Sequence, residues 1–161
     1  MEHTHHIVVV GGGAGGLELV TRLGNKLGRK GRARITLVDA GLTHVWKPLL
    51  HEVASGSLDA SANEINYRAH ARKHHYEFQL GRMSGLDRQN HRIVIAPFLD
   101  DDGNEVVPER HIHYDTLVVS VGSTANDFGT PGAKDHCLFL DSLPQRSEER
   151  RVGKECHLTC R

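Results

Sequence analysis

Residues 7–16 read I-V-V-V-G-G-G-A-G-G, and a second β-rich run, R-I-T-L-V at 34–38, closes on Asp39. Ile7, Val8, Val9 and Val10 are stiff at χ1 and favour a buried strand, whereas the glycines after them remove the side chains where the backbone must turn sharply. In the spacing G-x-G-x-x-G, Gly11 makes the turn, Gly13 lets the chain approach a pyrophosphate, and Gly16 lets a helix pack on the strand. Leu17, Val20, Leu23 and Leu27 recur at helical spacing, which predicts a helix with its positive N-terminal end at the phosphates and Gly28 as its stop. Asp39, at the end of the second strand, is placed to accept hydrogen bonds from a ribose diol. A carboxylate there repels a 2′-phosphate, so the pattern points to FAD or NAD rather than NADP.

The bulk numbers narrow the class. A chain of 161 residues is one domain or part of one. Lys plus Arg and Asp plus Glu stand at 20 each, so no basic field exists to draw nucleic acid or anionic lipid. The first apolar run reaches glycine after four residues, and neither a signal peptide nor a membrane helix is expected. The cysteines, Cys137, Cys156 and Cys160, form no zinc or disulfide framework, and Cys137 reads as a small buried hydrophobe. His70 and His74 stand four apart, and His3, His5 and His6 cluster near the start. Without an H-E-x-x-H pattern or paired cysteines, no metal is expected at either. Asp100 to Asp102 imitate a calcium loop only superficially, since the ligand spacing and closing Glu are wrong.

Further along, Pro48 suits the first turn of a short helix over 48–55. S-A-N-E at 61–64 fits a capping box, and Ile65 with Ala69 predicts one apolar face of a helix ending near His75. Residues 76–80 predict a strand, with G-R-M at 81–83 emerging at its ligand-facing carboxyl end. Residues 92–99 and 105–112 predict a hairpin around the Asp102-Gly103 turn, with Pro97 and Pro108 forcing edges or bulges. Residues 116–121, T-L-V-V-S-V, predict a last strand running into Gly122 and Ser123. The fold class is therefore α/β, a Rossmann-like dinucleotide-binding domain with a β-hairpin or meander in place of one crossover helix. That arrangement suits the FAD-binding half of a flavoprotein with two dinucleotide domains.

The wording of several blocks carries more. I-V-V-V-G-G-G-A-G-G-L-E-L, T-H-V-W-K-P-L-L-H-E-V-A-S-G-S-L-D, F-Q-L-G-R-M-S-G-L-D-R and Y-D-T-L-V-V-S-V-G-S-T-A-N-D-F-G-T-P-G resemble the type II NADH dehydrogenases, single-subunit bacterial NADH:quinone oxidoreductases, over about residues 5–144. The resemblance implies FAD as cofactor, NADH and a membrane quinone as substrates, and electron transfer without proton pumping. It implies peripheral attachment to the cytoplasmic side of the inner membrane, and it allows a homodimer. On the site, it implies that Gly11, Gly13, Ala14, Gly15 and Gly16 cradle the FAD pyrophosphate and that Asp39 holds the adenosine ribose. It likewise implies Lys47 and Pro48 bordering the flavin, Met83 offering backbone contacts to adenine, and Val121, Gly122 and Ser123 forming a second FAD-contacting turn. No acid, base or nucleophile is marked as catalytic. A related flavin-dependent quinone or disulfide reductase is disfavoured because Cys137 has no redox partner.

From Arg146 the composition changes abruptly to R-S-E-E-R-R-V-G-K-E-C-H-L-T-C-R. Residues 146–156 resemble the translation of a sequencing-library adapter. The expected organisation is thus residues 1–145 as the N-terminal part of the FAD-binding domain and 146–161 as an artefactual, disordered tail. A second glycine motif for NADH, a late Gly-Asp turn and an amphipathic anchor, all implied by the resemblance, are not found in these residues. The 161 residues alone are therefore expected to be inactive, as a nucleotide-binding module without turnover, and prone to aggregate.

Overall fold

Alternation along residues 5–10 decides where the first strand sits. Val8 and Val10 serve one face and Ile7 and Val9 the other, and Val8 and Val9 are fully buried. A strand covered on both sides belongs inside a parallel sheet. A computed structural model describes residues 3–44, 52, 57, 64–100, 102–123 and 126–137. In chain order its strands are β1 (His5–Val10), β2 (Ala33–Asp39), β3 (Thr43–His44), β4 (Ile65–Asn66), β5 (Glu77–Leu80), β6 (Met83–Asp87), β7 (Arg92–Ile95), β8 (Phe98–Leu99), β9 (Glu105–Val107), β10 (Arg110–His113) and β11 (Thr116–Val119). The helices are α1 (Ala14–Lys26), α2 (Tyr67–Lys73) and α3 (Ala133–His136).

The chain divides into two compact units, residues 1–44 with 65–122, and 45–64 with 123–161. In the first, four strands form a parallel sheet in the order β11-β1-β2-β5. The chain steps from β1 to β2 to β5 in one direction, then returns to add β11 on the other side of β1, so the order reverses between β1 and β11. Open α/β sheets bind ligands at the carboxyl ends of the strands beside that reversal. One face of the sheet packs Val9, Ile35 and Leu37 against Leu17 and Val20 of α1 and Tyr67 and Ala71 of α2. The other packs Val8, Val10 and Val38 against Ile93 and Ile95 of a three-stranded antiparallel meander, β10-β7-β6. Each fully buried Val or Leu contributes about 1.5–3 kcal/mol. The expected α/β class and meander are both present.

Several boundaries differ from the sequence reading. The helix expected from the box at 61–64 instead starts at Tyr67, with the Asn66 side chain accepting from Ala69 N at 3.1 Å. Ile65, read as helical, pairs opposite His44 in the β3–β4 ladder, because an Asn cap two residues before Arg68 competes successfully with a Ser cap farther upstream. α2 ends at Lys73, short of His75, whose φ of 58° is left-handed. α1 ends at Lys26 with Leu27 as its C-cap, directly before the expected stop at Gly28. Gly28 opens a 3₁₀ turn, Gly28–Lys30, closed by the left-handed Gly31, and a Cβ on Gly28 would collide with the His75 carbonyl oxygen. The hairpin around Gly103 forms but breaks at both prolines into β7/β10 and β8/β9 ladders, since proline cannot donate to a ladder. β11 ends at Val119, two residues early.

In the second unit, Asn126 and Asp127 side chains accept from Phe128 N and Gly129 N, and the turn at Thr130 leads into α3. Cys137 follows α3 in extended conformation and is exposed, correcting its reading as a buried hydrophobe: it lies past the end of a single-turn helix, and Asp135 and His136 before it are exposed as well. The short helix expected over 48–55 and the tail at 146–161 lie outside the described residues.

Candidate dinucleotide-binding site

The site is built from the turn after β1. Gly11 has φ +100° and donates its N–H to Val38 O at 2.8 Å, while Ser120 N donates to Val10 O at 2.7 Å, so β1, β2 and β11 remain tied to their carboxyl ends. A Cβ on Gly11 would overlap the Ser120 carbonyl, and a Cβ on Gly16 would overlap the Gly11 carbonyl. These two glycines are demanded by the protein itself. Gly13 is not, because a Cβ there would meet no atom of the described residues within 4 Å. It is the N-cap of α1, in extended conformation, with Leu17 N bonding its carbonyl at 2.9 Å.

No side chain caps α1, and no acidic residue lies in its first turn. Helices of this kind present unsatisfied N–H groups and the positive end of the dipole together, a setting that favours an anion. Ala14, Gly15 and Gly16 form that turn. The nearest neighbour of a Cβ on Gly15 would be Ser120 Oγ at 3.7 Å. Ser120 was counted only as a strand residue by its sequence position, yet it lines the floor of the turn.

Asp39 closes β2 as expected, and its carboxylate is anchored from two directions. Oδ2 accepts from Gly12 N at 2.6 Å and Oδ1 from Gly41 N at 2.8 Å. Its carbonyl accepts from Gly81 N at 2.8 Å, which fixes the end of β5 alongside. Two amide hydrogen bonds leave lone pairs on each carboxylate oxygen, enough to take a diol.

Tyr67 is the residue sequence reading missed. It is 2% exposed, and its hydroxyl donates to Gly12 O at 2.6 Å, bracing the turn from below. Burial, with Asp39 adding to it, pushes the phenol well above its ordinary range, so it stays a donor. Its ring stacks on Phe78 at 5.1 Å and lies 6.3 Å from His44. Burial lowers the His44 pKa below its ordinary value, with Asp39 partly opposing the shift. The signal for Tyr67 was present only as an aromatic at the start of a helix, a pattern that usually means packing.

Of the other expected site residues, Val121 and Gly122 lie beside the glycine turn, with the Val121 backbone nitrogen next to Gly11, and Met83 lies on the meander. Met83 opens β6 opposite Ile95 and is half-buried against the core on the meander side. Val121 is 68% exposed, and Gly122 has φ 73° with open space around it. Ser123 begins the second unit, and Lys47 and Pro48 lie outside the described residues. Beside Asp39, a cavity of about 620 Å³ opens at the carboxyl ends of β2 and β5, among Ala40, Arg68, Leu80, Gly81, Arg82 and Arg110. Among the described residues, no group of three or more His, Cys, Asp or Glu side chains is placed to hold a metal ion.

A parallel sheet with the order β11-β1-β2-β5, a glycine turn at its reversal and a carboxylate on the neighbouring strand define a dinucleotide-binding flavoprotein domain. Comparison with known proteins takes this further. The model of the family described as pyridine nucleotide-disulphide oxidoreductase matches residues 5–158, and the chain belongs to that family, whose members bind FAD. It is 48% identical over 140 residues to a type II NADH:quinone oxidoreductase of Haemophilus influenzae, covering 87% of this chain and 32% of that protein. Among solved structures, that of NDH2 from Plasmodium falciparum in complex with NADH superposes with a TM-score of 0.77 at 20% identity, over 98% of this chain and 31% of the other. A sulfide:quinone oxidoreductase from Aquifex aeolicus superposes nearly as well, at 0.74 and 20% identity, over 97% of this chain and 33% of the other. These superpositions, both at 20% identity, establish the fold. The chain spans about a third of the length of the relatives it matches.

Proposed function

We propose that residues 11–16 and Asp39 hold the pyrophosphate and adenosine ribose of FAD. The observation that carries this is the uncapped, acid-free N-terminus of α1 beneath the open Gly13, set beside a carboxylate already fixed by Gly12 and Gly41. The amides of Ala14, Gly15 and Gly16 would receive the phosphate charge. Asp39 would orient the ribose, and the cavity lined by Ala40, Gly81 and Arg82 has room for the adenine end. Val121 and Gly122, which follow β11 at its carboxyl end, would add contacts toward the flavin. When bound, FAD supplies the two-electron chemistry that no side chain here provides.

For the whole protein we infer an NADH:quinone oxidoreductase that does not pump protons, supported by the 48% identity to the Haemophilus enzyme. Peripheral association with the cytoplasmic face of the membrane, and a homodimer, belong to the same reading. Among the described residues, no helix is long and apolar enough to cross a membrane. The 161 residues alone act as the dinucleotide-holding portion.

The test is titration of FAD, read by quenching of flavin fluorescence, against the chain and its Gly13→Val variant. The variant is expected to keep its circular dichroism and to lose at least tenfold in FAD affinity, because the added isopropyl group fills the space the pyrophosphate needs. Equal affinity in the two proteins would overturn the assignment of this turn.

A further inference from the structure

On the far end of α2 from the glycine turn, His70 and His74 stand one helical turn apart. Side chains at i and i+4 meet on one face of a helix, and here the two ring centroids lie 4.2 Å apart with a 33° tilt. Each ring is held from behind. His70 Nδ1 is 2.9 Å from the Tyr76 hydroxyl, and His74 Nδ1 is 3.2 Å from the Asn25 side-chain amide. Both Nδ1 atoms are thereby engaged, and neither Nε2 has a hydrogen-bond partner among the described residues. Both partners can accept: the phenol oxygen directly, and Asn25 through its amide oxygen once that group is turned. A proton on each Nδ1 leaves a lone pair on each Nε2, the state in which imidazole ligates metals.

The backbone under the pair is equally fixed. The His74 and His75 carbonyl oxygens pack where Cβ atoms of Gly24 and Gly28 would otherwise stand. Tyr76 is 7% exposed, so its hydroxyl is not free to swing away from His70. Spacing alone gave no reason to expect a metal here; the outer partners supply it, since ligating histidines almost always have the second ring nitrogen oriented by a hydrogen bond.

We propose that His70 and His74 form a two-imidazole site for a borderline divalent d-block cation such as Zn²⁺, oriented by Tyr76 and Asn25 and completed by water. Imidazole nitrogen suits Zn²⁺, Ni²⁺ and Cu²⁺ and disfavours Mg²⁺ and Ca²⁺. A cation bound across one turn ties the end of α2, the helix whose first residue, Tyr67, braces Gly12. Binding to the folded form alone then raises stability as metal is added. The proposal is independent of the flavin reading, and its test needs no FAD.

The test is a Zn²⁺ titration of the 161-residue chain carrying Cys137→Ser, Cys156→Ser and Cys160→Ser so that thiols do not compete, with affinity read by displacement from a chromogenic chelator and stability by thermal unfolding. We expect one equivalent bound and a rise in Tm, both lost in His70→Gln and in His74→Gln and kept in His3→Gln. Tyr76→Phe should weaken Zn²⁺ by about tenfold to a hundredfold, the usual cost of removing an outer partner. Unchanged affinity in either glutamine variant overturns the site, and unchanged affinity in Tyr76→Phe overturns the role of Tyr76. Histidine ring ¹⁵N spectra of the unsubstituted pair guard against variants that do not fold. Shifts at the His70 and His74 Nε2 resonances at one equivalent support the site, and shifts confined to other histidines reject it.

Discussion

The turns after β1 and β11 lie at the carboxyl ends of neighbouring strands, and both contain a glycine of positive φ: +100° at Gly11 and +73° at Gly122. Their surroundings are opposite. Gly11 presses on the Ser120 carbonyl and receives Gly16 against its own, while Tyr67 occupies the space a Cβ on Gly12 would need. Around Gly122 no atom of the described residues lies within 4 Å of such a position, and Val121 beside it is exposed. The first turn is specified by the fold before any ligand arrives. Among the described residues, the second is specified by its backbone angle alone. One glycine motif therefore contains two kinds of glycine: 11, 12 and 16, which the surrounding backbone and Tyr67 crowd, and 13, which no described residue crowds.

The largest effect is expected where the packing is tightest. Gly16→Val forces a branched side chain into the Gly11 carbonyl and should cost roughly 3–5 kcal/mol, at the extreme of single substitutions. Urea unfolding followed by circular dichroism measures it. A loss under 1 kcal/mol would mean that α1 can slide away from β1 and that the turn is not built by packing. The contrast with Gly13→Val, which should leave the unfolding midpoint nearly unchanged while abolishing FAD affinity, is the sharpest form of the comparison.

Next in size is the brace. Tyr67→Phe keeps the ring stacked on Phe78 but leaves the Gly12 carbonyl without its hydroxyl donor. Leaving a buried acceptor unpaired costs about 1–3 kcal/mol. If the turn is pre-formed by that bond, the variant should also weaken FAD more than its stability loss alone explains, as read by titration well below its unfolding midpoint. A stability loss with unaltered FAD affinity would assign Tyr67 to packing alone.

These two kinds of glycine also show what could be read from the sequence. The strand, turn, helix and acid order at 7–39 is local: β-branched residues, glycine spacing and leucines at helical period all act within a few residues, and β1, α1 and β2 follow from them. Asp39 was legible because its role depends on the end of one strand. Tyr67 was not, because its function lies in a hydrogen bond across 55 positions to Gly12, and nothing around it in sequence distinguishes it from a packing aromatic. The start of α2 was misplaced for a related reason. Whether Ser61 or Asn66 caps it depends on β4 pairing with β3, and that pairing is set by residues twenty positions upstream. Ser120 was hidden in the same way, as a small polar residue whose neighbours come from another strand.

A smaller effect tests the open turn. Gly122→Ala should cost about 1 kcal/mol, the backbone price of a left-handed alanine with no collision added. Gly11→Ala at similar geometry should cost well beyond that, since it adds overlap with the Ser120 carbonyl. Thermal unfolding of both variants gives the ratio directly, and near-equal losses would erase the distinction between the turns.

The smallest effect concerns the amino ends of the same two strands. There Asp115 tethers β11 to β1: His6 N donates to its Oδ2 at 2.7 Å, His3 Nε2 lies 2.9 Å from its Oδ1, and Asp115 N donates to His6 O at 2.9 Å. The His6 amide, followed by His3, holds the Asp115 carboxyl below its ordinary pKa. For an acid whose folded pKa is depressed, the stabilisation is complete above the unfolded value, near 3.9, and is lost as pH falls through the lower folded value. Because Asp115 is exposed to solvent screening, the change should be local rather than global. Amide hydrogen exchange at His6 is therefore expected to show constant protection above about pH 5 and a loss that begins only below the ordinary carboxylate range, with Asp115→Asn removing that step. If protection at Val10 and Gly11 stays level across the same pH range, the carboxyl-end turn is held by its own packing and does not depend on the tether at the other end of its strand. A parallel loss at Gly11 would show that the two ends open together, and that the rigidity assigned to the glycine turn is borrowed from β11.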